Sequence, residues 1–491
     1  MVSDPQNSQL VLQFGDNSPG LQIINWEDYS YRSEFLVPCD GFTMRVGSDQ
    51  ITGEMRDMLV AGQKVQLYMQ VDPTNGNTSY TNPIFTGYID QVTLDTSRGG
   101  TFFTLRGRNL LGPLCDSGID PWSNNYKFVD GQTMADVIGK CLNTFGISAT
   151  WNTDVQNRLI TCGANKNTAK LVSSTYKVVS DNIVVNNETI TVSENTTTTT
   201  QTITQWIDPT NTFDLAEKSI KKLQPKHNQT FMEFIEENLA RFGVAMWAMA
   251  DGSGVVISSP DYIQEPLFNI INSSDGGLSG RPNNVVTGRL ELDPFNMPSA
   301  IIAKGYQGGG DFQTTRIRTC KVNEFIGYPI IRNPGPGPSP VVVAGQQQNS
   351  QYVLEPTVQA VISRFKGLKP LDPNIPLIEN YAQYFSTPAV PKIVFWEDEK
   401  SRTLDQLKAA VMRKMSEYQR NGFRLHYTVE DHTQNGLVWK HNTIVNVYDE
   451  TLGIYMVPFW VLSVTFRKNR STGTHTDLIL IPVGSLILGP Q

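Results

Sequence analysis

The sequence is poor in the residues on which redox, export and metal chemistry depend. Only five cysteines occur in 491 residues (Cys39, Cys115, Cys141, Cys162 and Cys320), odd in number and without CxxC spacing. That scatter predicts reduced, mostly buried thiols and argues against a disulfide framework or a thiolate metal site. No run of apolar residues approaches the roughly 18 that a membrane-spanning helix needs. The opening Met1-Val2-Ser3-Asp4-Pro5-Gln6 lacks a signal peptide's apolar core, so the expectation is assembly without Sec export. Charge is sparse and negative: 40 Lys and Arg against 47 Asp and Glu leave −7. A dominant nucleic-acid-binding surface needs clustered cations to neutralise phosphate, and that balance argues against one.

What the chain does have is length and strand-like patterning. At about 150 residues per domain, two to four domains are expected. In Val65-Gln66-Leu67-Tyr68-Met69-Gln70-Val71 every second residue is apolar, which predicts a strand with Val65, Leu67, Met69 and Val71 on one face and Gln66 and Gln70 on the other. Ile84 to Leu94 continues the β pattern and pauses at Gly87, a bulge or a close backbone approach. The turn Ser97-Arg98-Gly99-Gly100 leads into a further strand, Thr101 to Arg108. A helix is predicted after Thr133, with Met134, Val137, Ile138, Cys141, Leu142 and Phe145 on one stripe and Gly146 closing it. The pattern recurs 97 residues on, where Thr230 and Glu233 have capping-box spacing and Phe231, Phe234, Ile235, Leu239 and Phe242 form the stripe. Duplication and shared helix grammar both account for that similarity. Val244 to Met249, Asp251-Gly252 and Val255 to Ile257 read as a hairpin.

Between these helices lies a Thr-rich tract, Asn186 to Gln205, expected to be an exposed β excursion or a mobile loop. Its Asn-x-Thr triplets at Asn187 and Asn195 would matter only after secretion. Asn284 to Ile302 is β-rich again. Asn333 to Pro340 and Lys369 to Pro376 read as linkers. A helix is predicted from Thr403 to Asn421, with Leu404, Leu407, Val411, Met415 and Tyr418 on one stripe and Gly422 at its end. Strands follow at Phe423 to Val429, Thr443 to Val447, Tyr455 to Phe466 and Thr474 to Ile481.

A search for catalytic grammar returns little. GxSxG, HExxH and P-loop patterns do not occur. The prolines of Gly335-Pro336-Gly337 remove the backbone donors a phosphate loop needs. Gly277-Leu278-Ser279-Gly280 has Arg281 where a nucleophile elbow needs glycine. His426, His432 and His441 are spread over a strand, a turn and the next strand, a poor arrangement for converging on a metal. Glu236 and Glu237 are adjacent on a helix and point apart. Arg106 and Arg108 alternate along a strand, which suits an ion pair or an interface hydrogen bond. No catalytic, cofactor-binding or metal residue is therefore assigned, and no cofactor is expected.

Several segments together resemble the baseplate hub proteins of Mu-like contractile-tailed phages. They are Phe85 to Val92, Leu105-Arg106-Gly107-Arg108-Asn109-Leu110, Leu114-Cys115-Asp116-Ser117 and the two helices ending Phe145-Gly146-Ile147 and Phe242-Gly243-Val244. The Asp251-Gly252 hairpin follows, then Gly436 to Trp439, Asn446 to Asp449 and Val464 to Phe466. The resemblance covers about three-quarters of the chain. It departs from the family at Asn109, which stands where Asp is usual, and in the long tract from about Thr150 to Lys226.

The resemblance implies a mainly β (α+β) fold with two tail-tube-type β-barrel domains flanking a central α/β region. The boundaries are residues 1–118 for the first barrel and 119–283 for the central domain, with its excursion at about 150–226. Residues 284–491 form the second barrel. It also implies a homotrimer that joins a sixfold tail tube or tube initiator above to a threefold spike below, related to the hub part of type VI secretion spike proteins. The chain ends at Ile487-Leu488-Gly489-Pro490-Gln491, so the spike is expected to be a separate polypeptide. Tape measure protein and baseplate wedge are further expected contacts. The place would be the virion tail, assembled in host cytoplasm, with DNA meeting the protein only in transit and no stable membrane insertion. Three copies triple the net charge of −7, and a lumen sharing it would repel phosphate. Two rivals are a cell-wall hydrolase, which lacks a compact acid–base pair, and a carbohydrate-binding adhesin, which would use some of the eight tryptophans. The tryptophans are dispersed, most in apolar context, which favours core packing.

Overall fold

The computed structural model describes residues 8–15, 21–71, 79–80, 82–98, 100–128, 132–157, 160–161, 170–179, 198–207, 213–214, 224–240, 244–261, 264–278, 281–293, 300–306, 317–322, 393–398, 414, 417–418, 420–469, 472–483 and 486. The first strands are β1 (Gln9–Phe14), β2 (Gln22–Ile23), β3 (Asp28–Glu34), β4 (Gly41–Gly47), β5 (Lys64–Val71), β6 (Ser79–Tyr80), β7 (Phe85–Ser97) and β8 (Gly100–Asn109), with helices α1 (Gly53–Met58) and α2 (Gly112–Asp116). Helix α3 (Met134–Asn143) precedes β9 (Ala149–Trp151), β10 (Ile160–Thr161), β11 (Lys170–Val179), β12 (Thr198–Ile207) and β13 (Phe213–Asp214). After α4 (Phe231–Ala240) come β14 (Ala245–Ala248), β15 (Val255–Ser258), β16 (Phe268–Asn272), β17 (Gly277–Leu278), β18 (Arg281–Pro282) and β19 (Val285–Leu292). The remaining strands are β20 (Ala300–Tyr306), β21 (Ile317–Val322), β22 (Ile393–Asp398), β23 (Phe423–Glu430), β24 (Thr433–Gln434), β25 (Leu437–Val438), β26 (Ile444–Asp449), β27 (Ile454–Asn469) and β28 (Gly473–Pro482). The fold is mainly β, with few helices.

The chain divides into two compact units: residues 1–119, 141–153 and 228–491 form the larger, and 120–140 with 154–227 the smaller. The larger unit is built on a 14-stranded sheet with the path β19-β23-β28-β27-β3-β4-β8-β7-β5-β1-β2, β26 and β16 branching from β27 and β6 from β5. All its pairings are antiparallel except β16 with β26. The strands of the first 109 residues and those beyond residue 267 thus form two contiguous runs. They meet where β27 pairs with β3, from Ser463 opposite Glu34 to Asn469 opposite Asp28.

β27 reaches both partners through a register shift. Its first half pairs with β26, Ile444 opposite Trp460, and its second half with β3. Against β28 the register slips between Val461 and Ser463. The extra residue flips side-chain parity. Val457, Phe459 and Val461 point into the main core before it, and Val464 and Phe466 after it. Trp460 and Leu462 turn instead to a second core with Phe35, Ile444 and Ile481. The main core is continuous across both runs, holding Leu10, Tyr31, Phe42 and Phe85 together with Phe423, Leu425, Phe459 and Leu478.

The predicted strands at Val65, Ile84, Thr101 and the four C-terminal runs are present, as are both capped helices. Asp136 N–H donates to Thr133 Oγ1 at 3.1 Å and Glu233 N–H to Thr230 Oγ1 at 3.1 Å; Gly146 takes φ +69°. Gly87 is a close approach, since a Cβ there would collide with the Arg108 carbonyl. The bulge lies just beyond, between Ile89 and Gln91. Gln66 and Gln70, on the second face of β5, are buried as well. Each finds a partner that makes burial tolerable: Tyr68 Oη donates to Gln66 Oε1 at 2.8 Å, and Gln9 Nε2 to Gln70 Oε1 at 2.7 Å.

In the smaller unit β11 and β12 form an antiparallel ladder from Lys170 opposite Ile207 to Val179 opposite Thr198. The end of the Thr-rich tract is therefore a paired strand; residues 186–197 lie outside the described set, as do both linkers. The helix from Thr403 lies mostly outside it too, including Leu404, Leu407, Val411 and Met415, while Lys414, Glu417, Tyr418, Arg420 and Asn421 are helical. Among the described residues no helix is long and apolar enough to cross a membrane.

Candidate functional site

The outward face of the sheet from β19 through β23, β28 and β27 to β3 is polar. Strand alternation sends Tyr29 and Tyr31 of β3 into the core and leaves Ser30, Arg32 and Glu34 on this face. The same alternation presents Thr465 and Arg467 of β27, Arg289 of β19 and Asp477 of β28 around a concavity of about 580 Å³. Every guanidinium-bearing side chain lining it has a carboxylate beside it. Arg32 pairs with Glu34 at 2.5 Å, Arg467 with Asp477 at 3.0 Å, and Arg289 approaches Glu291 at 4.0 Å. His426 Nε2 lies 3.2 Å from Glu291, and Thr428 Oγ1 donates to Asp477 at 2.8 Å. Exposed pairs of this kind contribute about 0–1 kcal/mol each to stability. Their larger effect is on the field: each of the three arginines at the concavity has a carboxylate beside it, which weakens the positive potential it presents.

Behind the face lies a buried polar cluster that ties the N-terminus to the C-terminal strands. Asp431, at φ +62°, accepts from Ser8 N–H at 3.0 Å and from the Ser8 hydroxyl, 423 residues away in sequence. Tyr29 Oη and His432 Nε2 are 2.8 Å apart, and His432 Nδ1 and Thr476 Oγ1 2.9 Å. Donor counting assigns the tautomer. The Thr476 hydroxyl gives its proton to the Asp431 carbonyl at 2.6 Å, so Nδ1 must donate to Thr476. Nε2 is then the acceptor for the Tyr29 hydroxyl, whose oxygen accepts Leu10 N–H at 3.3 Å. Only a neutral imidazole satisfies this set, and burial holds His432 well below its ordinary range. The Ser–Asp–His grouping is therefore a seam rather than a triad: the serine bonds the aspartate directly, and the imidazole is 0 % exposed.

The other sequence candidates are separated. His441 is half-buried against Phe35 and Trp247, and desolvation there pushes it down to about 4. Glu237 accepts from Gln229 Nε2 at 3.1 Å, while burial raises Glu236. Ser279 and the Gly335-Pro336-Gly337 segment lie outside the described residues. Among the described residues no three His, Cys, Asp or Glu side chains gather as metal ligands. Arg108 forms the expected ion pair, and forms it twice: Nε to Asp90 at 2.8 Å and Nη1 to Asp116 at 3.0 Å. The β7 bulge brings Asp90 to it, and Gly107 keeps the strand crossing close, since a Cβ there would strike the Tyr88 carbonyl. Asn109 hydrogen-bonds Asp40, which burial raises to about 6. A second carboxylate at 109 would sit against that one, which gives the Asn a physical reason. Of the tryptophans, Trp26, Trp439 and Trp460 are in the cores. Trp122 is not: it is 71 % exposed, edge-on to His227.

The seam makes a pH-dependent contribution. Unfolded, His432 takes a proton near pH 6.5; folded, it does so only at much lower pH, so the unfolded state binds more protons as pH falls below 6.5 and stability is lost. His441 acts in the same sense, while Asp40 and Asp431, both raised by burial, oppose it. Urea melts from pH 7 to 4.5 should therefore fall more steeply for wild type than for His432→Gln. Tyr29→Phe, which leaves Nε2 without its donor, should cost about 1–3 kcal/mol at pH 7.

Comparison with known proteins gives the same architecture. The family model described as "Tail protein, C-terminal domain" matches residues 418–482, the stretch from five residues before β23 to the end of β28. No curated protein matches the chain. Among solved structures, the 43 kDa tail protein of prophage MuSo2 from Shewanella oneidensis is 14 % identical with a TM-score of 0.58, the match covering 98 % of this chain and 99 % of that one. The tail protein from Neisseria meningitidis MC58 is 16 % identical with a TM-score of 0.56, covering 98 % of both. The chain shares the fold of these two tail proteins over nearly its whole length.

Proposed function

We propose that the chain is a structural component of a phage tail, and within it the baseplate hub of a contractile tail. The observation that carries this reading is the end-to-end coverage in both directions with two tail proteins, together with the tail-protein match over the C-terminal strands. The hub is a homotrimer in which residues 1–118 and 284–491 each act as a tube-type domain, flanking the central region 119–283. What supports that assignment is that the sheet's strands come in two runs, one from the first 109 residues and one that, apart from β16, comes from beyond residue 284. Six such domains per ring would meet a sixfold tube above and a threefold spike below, in the virion tail.

The polar face of β19, β23, β28, β27 and β3 suits the wall of a DNA passage. A wall that neutralises phosphate binds it through released counterions; arginines already matched by carboxylates on the same face do not. The role is mechanical, and the polar clusters serve packing.

Light scattering of the purified chain should give three times 54.7 kDa, and averaged tail images should place a ring of six similar domains at the tube's end. A single domain per chain in the assembled tail would contradict the hub. The wall has its own test. Glu34→Gln, Glu291→Gln and Asp477→Asn together should gain affinity for duplex DNA at low salt, with a log–log salt slope steeper by about three. Tight DNA binding by the wild-type protein would contradict a passive wall.

A further inference from the structure

The turn after β3 and helix α2 bring Cys39 and Cys115 together, with Sγ atoms 2.9 Å apart. Both are half-buried, so a small reagent can reach them. The backbone around them is already held in register. Gly41 lies opposite Arg108 in the β4–β8 ladder, and Asn109 N–H donates to the Asp40 carbonyl at 3.0 Å. Cys115 N–H is fixed on the Leu111 carbonyl at 3.2 Å. Thiols this close, on backbone this constrained, need only a small side-chain movement to reach bonding geometry.

We propose that Cys39 and Cys115 are a disulfide site, assembled as thiols and closed when the protein meets an oxidising small-molecule disulfide. The electrostatics favour one order of events. The hydrogen bond between the two sulfurs holds the Cys115 thiol below its ordinary value, and the Arg108 guanidinium adds to that, against burial and the charges of Glu236 and Asp116. Cys115 is therefore the attacking thiolate. It displaces one glutathione thiolate from glutathione disulfide, forming a mixed disulfide. Cys39 releases its proton to solvent, attacks the Cys115 sulfur and expels the second glutathione. Two protein thiols lose two electrons in total, and one glutathione disulfide becomes two glutathiones. The bond would link the β3–β4 turn to α2 and enclose α1 with β4 through β8. Exposure to such an oxidant after release from the cell rests on the tail-particle reading; the chemistry of the pair does not.

The full-length protein is equilibrated across a series of glutathione to glutathione disulfide ratios, acid-quenched, alkylated and peptide-mapped. The expected result is loss of two of the five thiols, recovery of a Cys39–Cys115 linked peptide, and a melting temperature raised by about 5 °C that dithiothreitol reverses. Cys39→Ser and Cys115→Ser should show neither the linked peptide nor the shift. Glutathione remaining on Cys115 as the end product, a different pairing, or no linkage at any ratio would overturn the proposal. The wild-type map decides the matter even if a serine variant fails to fold. Failure here would leave the trimer mass, measured under reducing conditions, untouched.

Discussion

The antiparallel ladder between β3 and β27 is the contact on which the larger unit depends. It pairs residues 28–34 with residues 463–469, joining segments more than 400 positions apart in the chain. Each run of strands exposes an apolar face that needs the other to complete its core: Tyr31 of β3 meets Phe85 at 5.7 Å on one side and Phe466 of β27 at 5.7 Å on the other. Loop-closure entropy opposes so distant a contact, but its cost grows only logarithmically with length. The shared core offsets it. The register shift beside Leu462 is what allows one strand to serve both runs, because without the parity flip Val464 and Phe466 would leave the core.

Polar groups then fix the register that the apolar contacts alone leave loose. The Ser8–Asp431 and Tyr29–His432–Thr476 bonds cross between the same two runs, and each buried donor in the chain of bonds has one acceptor. A shift of one residue in β3 would turn Tyr29 outward and strand the imidazole, which is costly in a buried site. The opposite face obeys another rule. There the charged groups are exposed, matched and worth little to stability, so their arrangement bears on what the surface repels or admits.

Local signals in the sequence located most elements because alternation and capping are local physics. Val65 to Val71, the Ser97-Arg98-Gly99-Gly100 turn and the capping boxes at Thr133 and Thr230 all needed only neighbours to be read. The burial of Gln66 and Gln70 is not legible in the same way, because alternation tells two faces apart but not whether the second is also covered. The β27 parity flip is hidden for a related reason: Val457 to Val464 is a nearly unbroken apolar run, in which no single residue marks the bulge. The seam was illegible, since Ser8 and Asp431 are unremarkable polar residues until folding places them together. Asp90 and Arg108 were half legible, for the alternation of Arg106 and Arg108 suggested a pair without naming the bulged partner. Trp122 shows the converse limit, an aromatic whose apolar character does not ensure burial.

The larger unit joins strands from both halves of the chain into one sheet, with a polar wall of paired charges on one side and a continuous core on the other. Native-state hydrogen exchange tests the joining ladder most directly. Backbone amides of β3 and of the second half of β27 should be protected together and should lose protection at the same denaturant concentration as β23 and β28. If β3 exchanged freely while β23 and β28 remained protected, the two runs would be independent, and the account of the larger unit as one sheet would be wrong.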